Sequence, residues 1–172
     1  MKLEFSIIEE DYIKFNIHHM DISKTYRRNI FKNRYIVPII FLITPFVLVK
    51  ISKIPFLYWM VLYGLLYITW VCFYKKYLIW KVKNSIKKTL KEGKNKGILG
   101  KKTFEICEDE IIETSEYGKT STNIKSVEDV FINDEYIYIY INRMQAYIVP
   151  VRAFINKKEK DEFIKYMESI KS

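Results

Sequence analysis

The side chains that could do chemistry in this sequence fall into small groups, and each must meet a geometric requirement. His18 and His19 are adjacent, so on a helix they point about 100° apart. A helical zinc pair needs a spacing of four and a further ligand, so this pair does not read as a metal site. Glu108, Asp109, Glu110, Glu113 and Glu116 crowd one short stretch. Paired carboxylates can serve acid–base catalysis, but no His or Cys stands where a partner is needed. The cluster reads as a solvated turn with one exposed strand edge. Gly93-Lys94-Asn95-Lys96-Gly97 has the composition of a phosphate loop without the Gly-x4-Gly-Lys-Ser/Thr order, and no strand precedes it. Lys119-Thr120-Ser121-Thr122 follows Gly118, but no helix begins there. With no G-x-S-x-G and no G-x-G-x-x-G either, the expectation is a protein that is not an enzyme, with no catalytic residue, no cofactor and no metal.

Tyr136, Tyr138, Tyr140 and Tyr147 read as one tyrosine face, and aromatic faces of sheets can stack bases. Their surroundings argue against it. Thr103 to Ser172 carries nine basic and fourteen acidic residues, net −5, and would repel phosphates. A half-buried sheet surface, or one packed on the last helix, is the better reading, and nucleic acid is not expected as a partner. The basic excess lies elsewhere. Met1 to Tyr35 is net +2 and Ile36 to Tyr74 is also net +2, from Lys50 and Lys53 alone. Lys75 to Lys102 sets eleven lysines against Glu92, net +10. The chain's formal charge of +9 therefore comes from one junction. Lys75, Lys76, Lys81, Lys83, Lys87 and Lys88 are the candidates for contact with an anionic lipid surface. The alternative is that they only fix the orientation of a membrane segment.

That segment comes next in the argument. Ile54 to Tyr74, IPFLYWMVLYGLLYITWVCFY, is an uncharged run of about 21 residues, or roughly 31 Å of helix, which matches a bilayer core of about 30 Å. Pro55 sits near the first turn, Ser52 is placed as a cap, and Tyr58, Trp59, Trp70 and Tyr74 stand near the two ends. Tyr35 to Val49 is shorter, and Arg34 and Lys50 would have to snorkel for it to span. It reads as a second span or as a buried or re-entrant helix, bent at Pro38 and Pro45. Lys50-Ile51-Ser52-Lys53 is too short to do more than reverse the chain, so a helical hairpin is expected. Lysine and arginine are dense before the first span and after the second and sparse at the turn, which predicts both termini on the cytoplasmic side. No cleavable signal peptide is expected, because Met1–Ser6 leads into Glu9-Glu10-Asp11. Cys72 and Cys107 read as free thiols in a reducing compartment.

Outside the hairpin the hydrophobic period changes. Leu3, Phe5 and Ile7 alternate as a strand does, and Asp11 to about Met20 reads as helix. Ser23 is placed to cap a helix entering the first span. Lys75–Lys91 continues helical, with Leu78, Val82, Ile86 and Leu90 on one side. Glu92 to Gly97 ends it with two glycines. Six further strands follow, at Lys101–Cys107, Glu110–Glu116, Lys119–Ile124, Val127–Ile132, Tyr136–Ile141 and Gln145–Pro150. Asn156 then caps a helix that buries Phe163, Ile164, Met167 and Ile170.

Tyr12 and Phe15 after the first strand, the hairpin, and Ile148-Val149-Pro150-Val151-Arg152-Ala153-Phe154 before the last helix together resemble the YcxB-like family of small bacterial membrane proteins. The resemblance runs over nearly the whole chain. It implies a pleckstrin-homology-like domain anchored by two membrane helices, and it carries no activity and no catalytic residue. The expected fold is α+β: an N-terminal strand and juxtamembrane helix (1–34), a transmembrane hairpin (35–74), a basic helix and linker (75–100), and a cytoplasmic pleckstrin-homology-like sheet or small barrel capped by a helix (101–172). The expected function is a non-enzymatic interaction module at the cytoplasmic face of the cell membrane, with a protein partner or a second copy. The alternative is protection or immunity against membrane-active peptides or envelope stress.

Overall fold

The computed structural model describes residues 1–92 and 97–170, so the two-glycine linker expected at 92–97 lies largely outside the described residues. The chain is α+β and divides into two compact units, Met1–Asn16 with Ile86–Ser172, and Ile17–Ser85.

The first unit is built of antiparallel strands. β1 (Lys2–Ile7), β2 (Gly100–Ile106), β3 (Glu110–Ser115) and β4 (Gly118–Asn123) make a four-stranded antiparallel sheet in that order. β5 (Asp129–Ile132), β6 (Tyr136–Tyr140) and β7 (Ala146–Pro150) make a three-stranded meander. Every strand read from the sequence is present. The barrel alternative is corrected: ladder pairing among the described residues stays within each sheet, so both sheets are open. A short 3₁₀ turn at Ile124–Ser126 carries the chain from β4 to β5 without pairing them.

β1 joins its sheet from the opposite side of the helical hairpin in sequence. Leu3 lies opposite Phe104 and Ile7 opposite Gly100, and both side chains are buried. Gly100 opens β2 at φ +105°, a conformation that a Cβ makes costly. The core joins Leu3, Phe104 and Ile111 of one sheet to Ile137, Ile139 and Val149 of the other. α5 (Lys157–Ile170) closes it with Phe163 and Met167, both fully buried. Its start is capped reciprocally. Glu159 N–H donates to Asn156 Oδ1 at 2.9 Å, and Ile155 N–H donates to Glu159 Oε2 at 2.8 Å.

α1 (Glu9–Ile22) begins with Glu9, Glu10 and Asp11, the charge sign that a helix N-terminus favours. It is longer at both ends than the segment expected from Asp11 to Met20. In the second unit, α2 (Lys24–Phe31) leads through a π-helical turn at Lys32–Ile36 into α3 (Ile39–Ile51), and α4 (Phe56–Lys91) is one continuous helix of 36 residues. The sequence placed Ser52 as the cap of the second span and Ser23 as the cap before the first. Ser52 instead terminates α3, and its Oγ accepts from Trp59 Nε1 at 3.0 Å. The backbone N–H it accepts from is that of Ile54, at 3.4 Å and before α4 begins. Ser23 occupies the N-cap of α2 without a side-chain capping bond.

Candidate functional site

The base of the helical hairpin is organised by a missing donor. Pro38 has no N–H, so the helix cannot continue its regular ladder through it. The break is taken up by the π turn, in which Val37 N–H reaches back to Lys32 O at 2.9 Å. Carbonyls freed there find donors on α4. Trp70 Nε1 donates to Asn33 O at 3.1 Å, and Tyr67 Oη donates to Tyr35 O at 3.4 Å. Arg34 Nε donates in return to Val71 O at 2.8 Å, with its guanidinium over the Tyr35 ring. At the other end of the hairpin Phe46 packs on Phe56, ring centroids 5.1 Å apart. These contacts make α3 and α4 antiparallel neighbours, as the short connection requires. Pro45, in contrast, stays inside α3 and is buried.

The six candidate lysines all lie on α4, and all are exposed. Lys75 pairs with Asp21 of α1 at 3.4 Å, Lys87 pairs with Glu9 at 3.4 Å, and Lys76 stands over the Phe73 ring at 5.8 Å. Leu78, Val82, Ile86 and Leu90 are half-buried, while the exposed Lys76, Lys83 and Lys87 fall largely elsewhere on the helix, as their spacing predicts. Lys81, Lys83 and Lys88 form no ion pair with a described residue.

A second cationic cluster, which the lysine count did not single out, lies at the foot of the first span. Lys24, Arg27, Arg28 and Arg34 line a cleft of about 520 Å³ together with Lys75 and Asp21. α2 buries no residue, so these heads are open to the surroundings.

The other polar constellation belongs to the first unit. Asp11 is buried to 1% exposure. Its two carboxylate oxygens take a bidentate guanidinium from Arg152, and Tyr136 Oη donates to Oδ1 at 2.7 Å. Ile8 N–H donates to Oδ2 at 2.8 Å, which closes the start of α1. Burial alone would raise this carboxyl, but the Arg152, Ile8 and Tyr136 bonds outweigh it and hold Asp11 below the usual carboxylate range. Burial and the Asp11 charge push the Tyr136 phenol up to about 12, so it remains a donor. Beside it Lys14 bonds Glu135 at 2.9 Å and Glu10 at 3.2 Å. In the sequence Arg152 stands within the Ile148–Phe154 stretch with no signal linking it to Asp11, which lies 141 residues away.

The tyrosine face is corrected in two respects. Tyr136, Tyr138 and Tyr140 are buried, with Phe15 of α1 against Tyr138 and Tyr140 at 5.5 and 6.1 Å. The last helix packs on the opposite, isoleucine side. Tyr147 does not share the tyrosine face: register sets it opposite Ile139, inside the core, where its hydroxyl bonds Thr122 at 2.7 Å.

The acidic cluster disperses. Glu110 accepts from Ser121 Oγ at 2.7 Å, whereas Glu113 pairs with Lys102 at 2.6 Å. Their odd spacing on β3 sends them to opposite faces. Burial pushes both His18 and His19 below the ordinary imidazole value. Cys72 and Cys107 are free and exposed. Among the described residues no three His, Cys, Asp or Glu side chains gather as a metal site.

Comparison with known proteins bears on β3 to β7 and the last helix. No curated protein and no solved structure matches the chain. The family model of the YcxB-like proteins matches residues 107–167, from the end of β2 to the buried Met167. That span contains the core tyrosines and isoleucines, Arg152 and most of α5, and it is similar to the YcxB-like family that the sequence resembles.

Proposed function

We propose that this chain is a two-pass membrane protein whose strand-rich unit is a pleckstrin-homology-like, non-enzymatic interaction module at the cytoplasmic face of the cell membrane. One observation carries the membrane part. Lys24–Ile51 and Phe56–Lys91 are long and apolar enough to cross a bilayer, and the most apolar windows within them are 11% and 0% buried. Helices of that composition in a water-soluble fold bury an apolar stripe; these leave Ile40, Leu57, Leu65 and Ile68 open. Such surface needs lipid. The cytoplasmic placement follows from the arginines and lysines at the foot of the hairpin, against only Lys50 and Lys53 at its turn. A four-stranded and a three-stranded sheet closed by a C-terminal helix support the pleckstrin-homology-like reading. Dispersed carboxylates and a fully engaged Asp11 favour binding over catalysis.

In this reading the free lysines Lys81, Lys83 and Lys88, with Lys75, Lys76 and Lys87, draw α4 toward the anionic leaflet, each contributing about 1 kcal/mol near the surface. The module's own net negative charge keeps the rest of it off the lipid and available to a protein partner or a second copy. The test is alkaline carbonate washing of membranes from cells expressing the full chain, followed by crosslinking in intact cells. The chain should stay in the washed membrane and crosslink into a discrete larger species. Release by carbonate would contradict the anchor, and a solely monomeric product would contradict the module.

A further inference from the structure

We infer that the cleft at the foot of the first span is a binding site for the phosphodiester headgroup of an anionic glycerophospholipid. The inference rests on the membrane-anchored reading above and adds a defined site, on residues other than the run along α4. The cations are placed by helical spacing. Lys24, Arg27 and Arg28 stand three and four residues apart on α2, so they share one face. Arg34 enters from the π turn and Lys75 from α4, and a single carboxylate, Asp21, offsets the five. That carboxylate already holds Lys75. Among the described residues Lys24, Arg27 and Arg28 form no ion pair, so three positive heads face one cleft without a counterion.

The size and lining narrow the ligand. A volume of about 520 Å³ falls within the roughly 300–1,000 Å³ of ordinary small-ligand sites. Arginine forks match the paired oxygens of a phosphate in a way that a lysine point charge does not. The remaining lining is apolar: Ile30, Phe31 and Tyr35. Phe31 is 56% exposed and has no reason to be so beside a free phosphate ion. Below a lipid headgroup it would meet the glycerol and acyl segments. The same three residues lead directly into the apolar run of the first span, so a molecule with a charged head and a long apolar tail fits both ends. Basic pockets between membrane helices on the cytoplasmic side are where anionic headgroups bind.

The test uses the full chain in neutral detergent, with bound lipid read by native mass spectrometry during titration. Phosphatidylglycerol should bind, and phosphatidylcholine should bind far more weakly. Arg27→Gln with Arg28→Gln should weaken phosphatidylglycerol roughly thirtyfold, from about 1 kcal/mol per lost cation. These two side chains are exposed and unpaired, so the pair of substitutions leaves packing intact. Lys157→Gln with Lys158→Gln, an equal loss of charge on α5, should leave binding as it was. Equal affinity for the two lipids, or wild-type affinity in the Arg27/Arg28 variant, would overturn the site. Displacement of the lipid by equimolar inorganic phosphate would assign the cleft to a free anion instead and would also overturn it. A chain that is carbonate-released from membranes fails the anchor reading; one that stays in membranes but is indifferent to lipid charge fails this inference alone.

Discussion

Asp11 is a buried carboxylate that holds the first helix of the strand-rich unit to its second sheet. It ties the start of α1 to the Pro150–Arg152 corner and to Tyr136, with three different donors on one buried carboxylate. Asp11→Asn keeps the shape but removes the charge and turns one acceptor into a donor, so it should cost about 2–3 kcal/mol, read as a lower unfolding midpoint of the full chain in detergent. Acid acts in the same direction. The folded carboxyl titrates below its free value of 3.8, so as pH falls the unfolded chain takes up the proton first. The stabilisation is therefore complete above about pH 4 and disappears as pH drops through the lower folded value. Asp11→Asn should remove that acid-limb dependence, and an unchanged acid limb in the variant would show that another group controls it. None of this was legible beforehand. In the sequence Asp11 marks only the start of a helical segment and the end of the acidic Glu9-Glu10-Asp11 run, because its partners lie 125 and 141 residues away, and a single sequence carries no signal for such pairs.

Elements were far more legible than residues, and for a physical reason. Alternation and turn residues need only neighbours in sequence, so all seven strands could be placed, even β4, which has no apolar residue and is marked by the turns around it. What alternation cannot supply is which faces of different strands coincide. Tyr147 was grouped with Tyr136, Tyr138 and Tyr140 on residue type, whereas the register opposite Ile139 turns it into the core. The pattern leaves the tyrosine face either half-buried or packed on the strongly amphipathic α5, while Phe15 on the weakly amphipathic α1 in fact covers it. This has a consequence for dissection. A fragment starting at Gly100 lacks β1, whose six residues pair along β2, and leaves a bare edge that invites aggregation. Fusing residues 1–10 restores the edge strand but not Phe15. Fusing residues 1–16 restores both. The 1–16 fusion should melt cooperatively as a monomer, and the 1–10 fusion should melt earlier with the tyrosines accessible to solvent. Equal melting of all three would show that β1 and α1 contribute nothing to the fold of this unit.

At the scale of the whole molecule the sequence divides by charge, and that division was readable from counting alone: a cation-rich foot, a hairpin with two lysines at its turn, and a net acidic remainder. The break at Pro38 was also legible, although its repair by Tyr67 and Trp70 was not, since it depends on which carbonyls the π turn releases. The central claim is that the hairpin crosses the membrane twice with both chain ends inside. It is tested by labelling single cysteines in a chain carrying Cys72→Ser and Cys107→Ser, using a reagent that cannot enter intact cells. Ser52→Cys at the hairpin turn should be labelled from outside, and Ser169→Cys on the exposed side of α5 should be labelled only after the cells are opened. Labelling of Ser169→Cys in intact cells, with Ser52→Cys protected, would contradict the account.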